Sequence, residues 1–235
     1  MMQAVIMAGG KGTRLAALTK DEIPKPMVPV AGKPLLLWQV ERLKENGITD
    51  IIMVIGHLGN KIREYFGDGE KFGVAIRYFE ETEPLGTAGS FYYLKDMIHG
   101  DRFVMMSGDL FFDIDFQRMI NFHEEKGAVA TLFVHPNGHP FDSDLLVLDH
   151  DDKITAFDSK YNVRDYWYEN CVNAGIFVFE KKICDYVPEP VKRNLENDVI
   201  KGMLEAGEPI YGYCSPEYVK DVGTCGPRKS DTGRY

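Results

Sequence analysis

Residues 3–8, QAVIMA, form a short apolar run that two glycines stop at once, and no other feature narrows the fold as much. A continuous apolar run of this length, bounded by glycine, reads as a strand buried on both faces. The pattern then recurs. Residues 50–55 (DIIMVI), 74–79, 103–106 and 128–134 read as further strands. Between them, residues 33–46 place Leu36, Leu37, Val40 and Leu43 at helical spacing, with Gly47 as the C-cap. Residues 61–66, 87–98 and 116–126 read as the other helices. This alternation predicts an α/β layered fold with a mixed, mainly parallel sheet, whose ligands sit beyond the carboxyl ends of the strands.

Beyond about residue 140 the texture changes. Residues 144–149, 153–157 and 172–179 read as strands joined by short turns, a helix follows near 194–205, and strands at 210–214 and 218–222 end the pattern. No Pro/Ser-rich linker divides the chain, so residues 1–224 are expected to form one domain whose second half adds β-structure. Residues 225–235, CGPRKSDTGRY, carry no periodicity and read as a disordered tail.

Charge narrows the ligand. The 235-residue chain has a formal net charge of -9, which argues against a surface built to coat nucleic acid. Yet residues 1–33 hold Lys11, Arg14, Lys20, Lys25 and Lys33 against Asp21 and Glu22, a local net of +3. A cationic patch on an acidic protein points to a small anionic ligand drawn to one place. No run reaches the roughly 18–20 apolar residues that span a bilayer, and the N-terminus lacks the form of a signal peptide, so a cytoplasmic protein is expected with no membrane partner. Cys171, Cys184, Cys214 and Cys225 form no CxxC motif, and His135 and His139 lack the second ligand pair of a zinc site.

The glycine loop, MAGGKGTRL at 7–15, is not one of the two commonest phosphate loops. Its lysine precedes the last glycine, which breaks the Walker A order, and Leu15 stands where a dinucleotide loop needs its third glycine. Together with P-K-P at 24–26, G-K-P at 32–34, E-P-L-G-T-A-G at 83–89, S-G-D at 107–109, V-N-A-G-I at 172–176 and K-D-V-G-T at 220–224, it resembles the sugar-1-phosphate nucleotidyltransferases. Those motifs run in the family's order from residue 3 to about 224. The resemblance implies the nucleotide-diphospho-sugar transferase type of three-layer, Rossmann-like fold.

What the resemblance implies for chemistry can be set out by residue. Ala8, Gly9, Gly10, Gly12 and Thr13 would line the nucleoside triphosphate, because absent side chains admit phosphates close to backbone N–H groups. Arg14 would face the departing pyrophosphate with its fork of donors, and Lys25, stiffened by its flanking prolines, would reach the α-phosphate. Asp109 and Asp221 would hold Mg2+ across the phosphates. Leu85, Gly86, Thr87 and Gly108 would approach the nucleoside, and Lys160, Asn173 and Gly175 the sugar phosphate. Asp113-Ile114-Asp115 has the D-x-D form of another metal motif, but Asp115 reads better as the cap of the helix that follows.

The loop at 134–144 resembles D-glycero-D-manno-heptose 1-phosphate guanylyltransferases, and residues 170–179 with E-P-L-G-T-A-G resemble guanylyltransferases that include those for mannose 1-phosphate. A transferase for thymidine, uridine or cytidine nucleotides is the alternative within enzymes, and a non-catalytic nucleotide-sugar-binding regulator the alternative outside them. The expected partners are GTP and a sugar 1-phosphate. A homodimer, and a C-terminal phosphatase domain in longer relatives, go with the resemblance. After Thr224 the chain departs from the family's G-T-P-[ED]-R continuation.

Overall fold

The computed structural model describes residues 2–10 and 22–222. A seven-stranded sheet forms its centre. It is built from β1 (Gln3–Met7), β4 (Asp50–Ile55), β5 (Ala75–Glu80), β6 (Arg102–Ser107), β8 (Ala130–His135), β11 (Val172–Glu180) and β12 (Ile210–Cys214). Their spatial order is β12-β8-β11-β6-β1-β4-β5. β6, β1, β4 and β5 are parallel neighbours, as are β12 and β8; β11 alone runs antiparallel to both of its neighbours. Three two-stranded pieces complete the β-structure. These are β2 (Pro29–Val30) with β3 (Lys33–Pro34), β9 (Leu145–Leu148) with β10 (Ile154–Asp158), and β7 (Leu110–Asp113) with β13 (Tyr218–Asp221).

Strand parity builds the three layers. Ala4, Ile6, Ile51, Met53, Val104 and Met106 point to one face, where they meet α1 (Leu35–Glu45), α2 (Gly59–Phe66) and α4 (Phe116–Glu125). Val5, Ile52, Val54, Phe103, Met105 and Phe177 point to the other, against α3 (Phe91–Met97) and α5 (Lys201–Glu205). Strands buried on both faces need apolar residues at every position, which is why the period-2 signal is weak and the runs are continuous.

The elements differ from expectation in specific places. The third helix begins at Phe91 and not at residue 87, because Leu85–Ala88 is stitched to another segment: Arg193 N–H donates to Leu85 C=O (3.0 Å), and Ala88 N–H to Arg193 C=O (3.2 Å). Gly86 has φ +76°, and a Cβ there would collide with the Arg193 carbonyl, so only glycine fits this crossing. The first helix starts at Leu35, since Lys33 and Pro34 belong to the β2–β3 hairpin. The helix near 194–205 opens as a π-turn, Leu195–Ile200, before α5. Strand β7 lies where the sequence pattern predicts none; it exists through its pairing with β13. Asp115 caps α4, its carboxylate accepting from Arg118 N–H (3.2 Å), as the capping reading requires. Among the described residues no helix is long and apolar enough to cross a membrane.

One buried group makes the fold pH-sensitive. His123 on α4 is 1% exposed, with Nδ1 2.8 Å from Thr131 Oγ1 and Nε2 3.3 Å from Glu180 Oε1. Burial, helped by the Arg102 charge, lowers its pKa from 6.5 to about 4, while burial pushes the Glu180 carboxyl up. A histidine depressed in the folded state stabilises fully above its unfolded pKa and loses that contribution as pH falls from about 6.5 to 4. Between pH 7 and 4.5 the His123 contribution should fall by about 2–3 kcal/mol. Urea denaturation at the two pH values checks this, with a smaller difference expected in His123→Gln.

Candidate active site

Four parallel strands deliver the walls of one cleft. β6, β1, β4 and β5 run in one direction, so Asp109, Gly9, Gly56 and Glu81, each just past a carboxyl end, face a common space of about 850 Å³. The loops after β1 and β4 touch: a Cβ on Gly56 would lie 2.8 Å from the Gly9 carbonyl oxygen. Three inter-strand spacings separate β6 from β5, roughly 14 Å, so the two ends of the cleft are chemically distinct places.

At the β6 end stands a cation between two carboxylates. Lys25 opens a 3₁₀ turn, Lys25–Met27, between Pro24 and Pro26, which fix the backbone that carries it. Its ammonium pairs with Asp109 and lies 3.4 Å from Asp221 Oδ1. Because the Lys25 side chain is only 14% exposed, the attraction is less damped by water than in a surface pair. Asp221 ends β13, which pairs antiparallel with β7, and Val222 N–H donates to Asp109 C=O (3.0 Å). Sheet register, not chain proximity, therefore brings together carboxylates from opposite halves of the chain. Two carboxylates converging on one positive charge at the edge of a cleft suit magnesium, which completes its shell with phosphate oxygens and water. The residues present fit that ion.

At the β5 end stands an unpaired acid. Glu81 N–H donates to Ile55 C=O (2.8 Å), which turns the side chain toward Gly9, whose added Cβ would lie 3.2 Å from Glu81 Oε2. Its Oε1 is buried and has no hydrogen-bond partner among the described residues. Burial pushes the carboxyl from 4.5 up to about 7.

The expected site residues divide into four groups. Ala8, Gly9, Gly10, Lys25, Gly86, Thr87, Asp109 and Asp221 all line the cleft. Leu85, Gly108, Asn173 and Gly175 are not among the residues that line it. Gly108 packs on the loop after β1, its N–H donating to Met7 C=O (2.9 Å), and Thr87 Oγ1 accepts from Leu195 N–H (2.7 Å). Asn173 Oδ1 accepts from Gly175 N–H (3.0 Å) while its Nδ2 donates to Glu196 (3.2 Å), a carboxyl that burial pushes up. Lys160 is exposed, its N–H donating to Asp144 (2.9 Å). Lys11, Gly12, Thr13, Arg14 and the tail 225–235 lie outside the described residues.

Two side chains escaped the sequence reading. Glu81 sits in the acidic string E-E-T-E, which looks like a solvated loop; only strand parity at the end of β5 separates the exposed Glu80 from Glu81. Glu196 follows the cap residue Asn194 and reads as an ordinary first-turn acid.

The comparisons with known proteins agree with this geometry. The family model described as Nucleotidyl transferase matches residues 3–226. A UTP–glucose-1-phosphate uridylyltransferase from Synechocystis sp. is 34% identical over 223 residues, covering 89% of this chain and 57% of the relative. A mannose-1-phosphate guanylyltransferase from Mycobacterium tuberculosis is 33% identical over 224 residues, covering 95% and 61%. The chain thus spans about three fifths of the length of these curated relatives. The crystal structure of HddC from Yersinia pseudotuberculosis complexed with GMP-PN superposes with a TM-score of 0.79 at 25% identity, covering 95% of this chain and 94% of that one. With its motifs in order and its cleft at the carboxyl ends of the parallel strands, the chain belongs to the nucleotidyl transferase family.

Proposed function

We propose that the cleft transfers a guanylyl group from GTP to D-glycero-D-manno-heptose 1-phosphate, releasing pyrophosphate and a guanosine diphosphate sugar for glycoconjugate synthesis. One observation carries the reading: a single cleft presents a lysine with paired carboxylates at one end and, at the other, a half-buried carboxyl whose Oε1 has no partner among the described residues. A phosphate oxygen of the sugar attacks the α-phosphorus in line. A new P–O bond forms, and the bond to the α–β bridging oxygen breaks with its electron pair leaving on pyrophosphate.

Lys25 supplies positive charge where it builds on the α-phosphate and the incoming phosphate. Backbone N–H groups at Gly9 and Gly10 receive the triphosphate, and Arg14 supplies charge to the leaving pyrophosphate. Magnesium, held by Asp109 and Asp221, supplies neutralisation of phosphate charge when bound. Asn173, with Gly175 and Lys160, addresses the sugar phosphate, and Glu196 keeps the Asn173 amide oriented.

The two curated relatives differ by one percentage point in identity, so overall similarity does not choose the base. Glu81 does. An ionised carboxylate only accepts, and guanine alone among the common bases offers two adjacent donors, N1–H and the N2 amino group, on its pairing edge. The HddC complex with GMP-PN favours the same base. Mannose 1-phosphate is the second reading for the sugar, favoured by the Mycobacterium tuberculosis relative.

A pyrophosphate-release matrix tests the whole proposal. The four common nucleoside triphosphates are crossed with heptose, mannose and glucose 1-phosphates in the presence of Mg2+. The largest kcat/KM is expected for GTP with the heptose phosphate. A maximum in the mannose column moves the acceptor, a maximum in a pyrimidine row rejects the guanylyl reading, and no release anywhere returns the chain to a nucleotide-sugar-binding regulator.

A further inference from the structure

The polar residue that α1 buries has no role in the chemistry above. Gln39 is 1% exposed, on a face otherwise made of Leu35, Leu36, Val40 and Leu43. A polar side chain there is retained against its desolvation only if it meets hydrogen-bond partners. It meets two. The Nε2 group donates to Ser107 C=O (3.0 Å) and to Leu110 C=O (2.7 Å).

Those carbonyls are the two ends of the turn that carries Asp109. Ser107 closes β6 and Leu110 opens β7, so the amide joins the two arms beneath Gly108-Asp109. The turn's other ties lie elsewhere: Gly108 N–H reaches Met7 C=O (2.9 Å), and Asp109 C=O receives Val222 N–H (3.0 Å). Gln39 Oε1 is itself buried and has no partner among the described residues.

We propose that Gln39 is a positioning residue for the cation site: its amide fixes the arms of the Ser107–Leu110 turn and thereby the direction in which Asp109 presents its carboxylate to Asp221 and to a divalent cation. The proposal rests on the reading of Asp109 and Asp221 as the metal-holding pair.

Gln39→Met tests it. Methionine has nearly the same length and shape and removes both donors; the Ser107 and Leu110 carbonyls lose that partner, so the variant is expected to fold but to melt below the wild type. Binding of Mn2+, followed by water-proton relaxation with and without a GTP analogue carrying an α,β-methylene bridge, should weaken about 10- to 100-fold, the range for residues that orient metal ligands. The kcat at saturating Mg2+ should fall while the KM for GTP stays within about twofold. Undiminished Mn2+ binding in folded Gln39→Met overturns the proposal. Asp109→Asn, run beside it, separates the two readings: if it too binds Mn2+ at full strength, the metal site itself is wrong. If it loses Mn2+ and Gln39→Met does not, only the role of Gln39 fails.

Should Gln39→Met not fold, the wild type decides. The Gln39 side-chain NH2 resonances are expected to be protected from exchange and to shift when Mg2+ and the analogue are added. A rapidly exchanging or unshifted pair overturns the proposal.

Discussion

Lys25→Ala is expected to lower kcat by about 10²- to 10³-fold, the cost of removing one preorganised charge from a transition state. GTP binding should change less than about tenfold, because the ammonium matters most where charge is building and least in the bound ground state. Without substrates the Lys25 ammonium neutralises Asp109 and Asp221, whose side chains are 29% and 38% exposed. Its removal leaves two carboxylates facing each other, so the variant should melt below the wild type in EDTA and gain more from Mg2+ than the wild type does. Lys25→Arg should not restore turnover. A planar fork on a backbone stiffened by Pro24 and Pro26 cannot place its charge where the compact ammonium sits. Single-turnover kinetics and equilibrium dialysis separate the two quantities. Near-normal turnover in Lys25→Ala removes the lysine from the mechanism.

How much of this site was readable in the chain depends on which force places each residue. The strand runs were legible because burial on both faces demands apolar residues at every position, and DIIMVI became β4 residue for residue. Loops at the carboxyl ends of parallel strands follow from that fold, so Gly9 and Asp109 belong to one crevice by strand pattern alone. The meeting of Asp109 and Asp221 at Lys25 could not be derived from pattern. It depends on β7 pairing with β13, and L-F-F-D directly after S-G-D carries too few residues to declare itself a strand. The Leu85–Ala88 strap was hidden for the opposite reason. The helical spacing of Phe91 and Leu94 extends backward through small residues that are compatible with a helix, while the carbonyl contact that needs Gly86 comes from Arg193. Local propensity was overruled by a partner that the local sequence does not name. Glu81 and Gln39 share that fate: each is a polar residue whose role lies in which backbone it faces.

Glu81→Gln is expected to turn the base preference. On the proposed reading the wild-type carboxylate accepts two N–H bonds from guanine, and hydrogen bonds to a charged group are each worth about 1.5–3 kcal/mol. Losing one and opposing the other with an amide N–H should lower kcat/KM for GTP about 10²- to 10³-fold. The glutamine offers one acceptor and one donor, which matches the N3–H and O4 of uracil or thymine, so UTP and dTTP should gain by comparison. The carboxyl titrates near 7, raised by burial, and protonation destroys the acceptor pair. The wild-type KM for GTP should therefore be flat above pH 7 and climb as pH falls below it, while Glu81→Gln shows no such climb. Stability moves the other way, with a sign that does not depend on any nucleotide. A carboxyl whose folded pKa exceeds its unfolded 4.5 costs the fold increasing stability as pH rises from about 4.5 to 7. Glu81→Gln is spared that cost, so the ligand-free variant should melt above the wild type at pH 8 and with it at pH 4. A variant that melts higher yet keeps its GTP preference would leave Glu81 half-buried beside Gly9 but not reading the base. A variant that loses GTP, gains UTP and melts higher at pH 8 alone ties specificity to the desolvation of one carboxyl, an energetic cost the empty cleft bears until guanine supplies the missing donors.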